Sequence, residues 1–89
     1  MSLRIYKYPL AISNQVQEVE MHETAGFLSV QEQNGEIVMW WRVDADTQSI
    51  RTRLFQIVGT GHIVPHNCRI YLGTVQMNEF VWHVFEVRP

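Results

Sequence analysis

Gly59-Thr60-Gly61-His62 is the stretch of this chain best equipped for chemistry. Two glycines let backbone N–H groups come close to a ligand. Successive amides of that kind can form a nest that favours an anion. Thr60 adds a hydroxyl, and His62 adds a ring that can donate or accept a hydrogen bond. The run lacks the lysine and the following helix of a P-loop, so it is not one. The same residues also suit a tight turn in which His62 caps backbone groups. Both readings stand at this point.

A second constellation is Trp40, Trp41 and Trp82 with Arg42, Arg51 and Arg53. Aromatic rings and guanidinium groups together stack flat ligands and pair with phosphates. They also anchor protein interfaces, and the plain alternative is that the tryptophans are core. The ligand site expected from the two groups is Gly59, Thr60, Gly61 and His62 with Arg51, Arg53 and Trp40. The four histidines, His22, His62, His66 and His83, have no recognised zinc spacing, and Pro65 prevents a helix from aligning His62 with His66. His66 and Cys68 could meet on one face of a strand, but no complete catalytic set accompanies them. No enzyme activity, metal or cofactor is expected.

These residues need strands to position them. Leu3–Pro9 and Gln15–Met21 read as strands, the second alternating and polar enough for a sheet edge. Asn34-Gly35 supplies the two positive-φ residues of a type I′ hairpin turn. Pairing outward from it sets Glu32 opposite Ile37, Val30 opposite Met39 and Leu28 opposite Trp41. Those residues, with Val43, form the expected core face, while Phe27, Ser29, Gln31, Val38, Trp40 and Arg42 face the other way. Asp44–Thr47 is a loop. Ile50–Val58 is a strand carrying Arg51, Arg53, Phe55 and Ile57 on one side. Arg69–Gln76 and Phe80–Val87 form a last hairpin whose second strand, apolar on both faces, belongs in the middle of a sheet or under a partner. Ile57-Val58-Gly59-Thr60 and Tyr71-Leu72-Gly73-Thr74 echo each other as strands bent at a glycine. The expected fold is a single all-β domain over residues 1–89, a small antiparallel roll or barrel-like meander with little or no helix.

Composition bounds the function classes. The chain has 89 residues, 46% of them hydrophobic and 18% charged, with a net charge of -2. With Lys7 as the only lysine and no basic stripe, phosphate-neutralising nucleic-acid binding is not expected. No apolar run approaches the ~18–20 residues of a membrane span. A lone cysteine, Cys68, fits a reducing cytoplasm. So many aromatic residues in so small a domain favour a homo-oligomer.

Three motifs in order, Arg53-Leu54-Phe55-Gln56-Ile57-Val58-Gly59-Thr60-Gly61-His62, Tyr71-Leu72-Gly73-Thr74-Val75-Gln76 and Val81-Trp82-His83-Val84-Phe85-Glu86, are joined by Ile5-Tyr6-Lys7-Tyr8 and Leu28-Ser29-Val30-Gln31. Together they resemble a family of short phage and prophage proteins that carries only a domain-of-unknown-function label. The resemblance implies a cytoplasmic protein of the infected host cell. By analogy with small phage proteins it implies a host-defence antagonist, one that sequesters a small anionic, nucleotide-like signal or blocks a host protein. A structural or accessory phage protein is the third expectation.

Overall fold

Period-two alternation and three tight connections fold the chain into seven strands. The computed structural model describes residues 1–89. The strands are β1 (Leu3–Leu10), β2 (Gln17–His22), β3 (Gly26–Gln33), β4 (Glu36–Asp44), β5 (Ile50–Gly59), β6 (Cys68–Met77) and β7 (Phe80–Val87), and there is no helix. They form two antiparallel sheets, a three-stranded one in the order β1-β4-β3 and a four-stranded one in the order β2-β5-β7-β6. The all-β expectation holds, and the sheets stay separate rather than closing into a barrel. The polar β2 is an edge strand, as its alternation suits, and the doubly apolar β7 lies inside its sheet, one of the two placements its sequence allows.

The β3–β4 turn has Asn34 at φ 52° and Gly35 at φ 82°, the left-handed pair of a type I′ turn. Glu32 Oε2 accepts the Gly35 N–H at 2.6 Å. Outward from the turn, Glu32 pairs with Ile37 and Val30 with Met39. Beyond Ser29 the expected register fails. A bulge between Phe27 and Ser29 sets Phe27, not Leu28, opposite Trp41. One extra residue reverses the alternation, so Leu28 is 47% exposed and Phe27 turns inward against Trp41, edge to face at 5.2 Å.

The inner faces of both sheets meet in one core. Ile37, Met39, Trp41 and Val43 of β4 face Phe55, Ile57, Val75 and Val84 of the larger sheet. Trp41 also meets Phe55 edge to face at 5.9 Å. The two sheets touch closely where β6 passes β3. At Gly73, with φ 157°, an added Cβ would lie 2.8 Å from Val30 Cγ1. Glycine is needed there for both its backbone angle and its missing side chain.

Candidate functional site

At its C-terminal end, β5 runs straight into the Gly59–His62 turn. The His62 N–H donates to the Gly59 carbonyl at 3.0 Å, and Gly61 takes φ 88°, which only glycine adopts without strain at that turn position. The stretch is therefore a β-turn, and it is also the centre of the molecule's surface relief. His62 lines all four surface depressions, of about 360, 290, 290 and 190 Å³. A Cβ on Gly59 would lie 3.1 Å from the His62 ring and 3.2 Å from Trp82 Cζ3. Gly59 thus provides the floor on which the imidazole and the indole converge. Phe80 stacks beside Trp82, with centroids 5.8 Å apart and planes 18° from parallel.

Thr60 joins the turn to a hydroxyl cluster around His83. Its Oγ1 lies 2.8 Å from His83 Nε2 and donates to the Val81 carbonyl at 3.3 Å. Which of Thr60 and His83 donates to the other follows the His83 tautomer, and the ring's other nitrogen is Nδ1. Tyr71 Oη and Thr74 Oγ1, hydrogen-bonded to each other, reach that nitrogen at 3.1 and 3.3 Å. Tyr71, Thr74 and His83 were not among the expected site residues. In a regular strand, residues three apart face opposite ways. The register shift between Tyr71 and Gly73 brings Tyr71 and Thr74 to the same face. No period-two reading shows that.

The other expected residues stand apart from the turn. Arg53 precedes Gly59 by six positions, about 20 Å along an extended strand. It points inward, donating from Nε and Nη2 to the two Glu86 carboxylate oxygens at 2.8 Å each. Its Nη1 donates to the Ala25 carbonyl at 3.0 Å, and its guanidinium covers Trp41 at 4.4 Å. Arg51 is exposed further along β5, opposite Met21. Trp40 lies on the outer face of the smaller sheet between Lys7 and Ser29. Alternation explains the outcome. Arg53 shares the inward face of Phe55, so it answers to a buried carboxylate and not to the loop.

Burial pushes the Glu86 carboxyl upward, but the Arg53 hydrogen bonds and charge, with Arg88 and Arg51, hold it below the ordinary glutamate value. Cys68 Sγ donates to Gln56 Oε1 at 3.6 Å, and burial raises its thiol pKa, which disfavours a reactive thiolate. No three His, Cys, Asp or Glu side chains gather as a metal-ligand cluster. No helix is long and apolar enough to cross a membrane.

Fold and site together define a small two-sheet β protein with a groove built around one glycine turn. The chain belongs to a family described as a domain of unknown function, DUF7352, which matches residues 1–89. No curated protein and no solved structure matches it.

Proposed function

We propose that the chain is a small non-enzymatic binding protein that takes up a nucleotide-like ligand, a flat ring joined to a small anion, at the groove around Gly59–His62. The observation that carries this reading is the convergence of the His62 and Trp82 rings on Gly59, with Phe80 stacked beside them. Aromatic faces that open to solvent accept any flat base. The Gly61 amide makes none of the backbone bonds of the turn, so it is free to donate to an anion. No lysine or arginine lines any of the four depressions. The anion would therefore meet backbone amides, Thr60 and His62 in place of Arg51 and Arg53. In the phage context that the resemblance implies, such uptake would withdraw a nucleotide signal from a host defence in the cytoplasm of the infected cell.

The test is thermal unfolding against purine, pyrimidine, cyclic and ADP-ribose-like nucleotides. At hundredfold saturation a ligand should raise Tm on the order of 10 °C. His62→Ala should abolish the rise, and Arg51→Ala should leave it intact. A panel without any shift overturns the reading.

One observation favours a second reading, protein binding through the outer face of the smaller sheet. Trp40 is only half-buried there and Ile5 is 63% exposed, with no layer above them. Such a face suits a host protein, or another copy of the chain in a homo-oligomer.

A further inference from the structure

One end of the groove carries a chemistry that anion binding does not use. Glu79, Phe80, Val81 and Trp82 line the depression of about 360 Å³ together with Gly59, Thr60 and His62, a volume within the range of about 300–1,000 Å³ typical of small-molecule sites. Phe80 is 60% exposed and stands two residues before Trp82, so both rings project from the same face of β7. Glu79 sits in the two-residue turn between Met77 and Phe80, where Asn78 takes φ 56°. Its carboxylate forms no ion pair, unlike Glu86, and no hydrogen bond, unlike Glu32. With no lysine or arginine lining any depression, Glu79 is the one fixed charge on the groove wall.

A free carboxylate is acceptor-only, with two oxygens side by side. Beside an aromatic wall it selects a flat ring that offers two neighbouring N–H donors on one edge. Among the common bases only guanine does so, through N1–H and the N2 amino group. Adenine and cytosine each set a ring acceptor next to their amino group, and uracil sets its single N–H between two carbonyls. Each of those edges turns a lone pair toward the carboxylate. We infer that the groove selects guanine nucleotides, with the guanine edge donating to Glu79 and the ring lying along Phe80 and Trp82. This rests on the nucleotide reading above and adds base selectivity to it.

Calorimetric titration of the full chain with GMP, IMP, AMP, CMP and UMP tests it. GMP should bind roughly 5- to 150-fold more tightly than AMP, the range of one bidentate base contact. IMP, which keeps N1–H but lacks the N2 amino group, should fall between them. Glu79→Gln places a donor where guanine also presents donors, so it should remove the preference while circular dichroism and Tm stay unchanged at this exposed turn. Binding of all five with equal affinity, or a GMP preference that survives Glu79→Gln, overturns guanine selection and leaves the nucleotide reading standing. Binding of none overturns both.

Discussion

Arg53 and Glu86 form an ion pair packed against the core residue Trp41. Glu86 is 3% exposed, and the guanidinium meets both of its oxygens while covering Trp41. Breaking such a pair from one side leaves a buried carboxylate whose remaining ion partner is Arg88 at 3.7 Å, a loss of about 3–5 kcal/mol. Arg53→Met should lose that much in urea unfolding at pH 7, a large part of the 5–15 kcal/mol typical of a domain. The pH dependence has a definite sign. Because the folded Glu86 pKa is lowered, its stabilisation is present above the unfolded value of about 4.3 and lost as pH falls through the folded value. In Arg53→Met, burial acts with less opposition and protonation relieves the buried charge. The gap between the two proteins should therefore narrow at pH 3. An equal gap at pH 7 and pH 3 would show that the pair's charge is irrelevant. Both side chains lie on inward positions that alternation marks. Their pairing, 33 residues apart, is beyond any local pattern.

At the scale of elements, two bulges decide what the strands present. The bulge at Leu28 exchanges Phe27 for Leu28 in the core, and the shift between Tyr71 and Gly73 assembles the His83 cluster. Gly73 also lets β6 approach β3, since Val30 Cγ1 occupies the space a side chain would need. Gly73→Ala should cost about 1–3 kcal/mol through overpacking and backbone strain. Adding Val30→Ala removes the opposing methyl, so the double variant should lose less than the two single costs combined. Thermal unfolding of the four proteins measures the coupling, and additive losses would contradict the close approach. The glycine echo at Gly59 and Gly73 was visible as two bent strands. The sequence carried no sign that one glycine floors a groove and the other passes the opposite sheet, because the neighbours that differ come from other strands.

The whole molecule is thin. Its Cα extents are 42 × 31 × 16 Å and its radius of gyration is 13.3 Å, against roughly 12 Å for a globule of this length. Two layers share one core, and both outer faces meet solvent. Val38 is buried on the outer side of the smaller sheet, where Lys7 reaches across β4 to Gln33 Oε1 at 2.9 Å. Trp40, opposite Lys7 on the same face, stays partly exposed. If this face binds protein, light scattering should give a mass above the 10.5 kDa chain, or host lysate should yield a discrete complex. Trp40→Ala should abolish either one without unfolding the core. A 10.5 kDa species at high concentration that retains no partner would end the reading.

Strand periodicity, Asn34-Gly35 and the missing helix signals were enough, read along the chain, to determine an all-β fold, its strongest hairpin and the edge character of β2, and to narrow β7 to a central or a covered strand. These are local consequences of backbone angles and alternating polarity, and every residue carries them in its own neighbourhood. The tertiary structure alone decided that Arg53 serves the core, that Trp40 and Arg51 stand away from the Gly59–His62 turn, and that Thr60, Tyr71, Thr74 and His83 meet. Those outcomes depend on strand order and on single-residue register shifts, which arise from packing between segments distant in the chain.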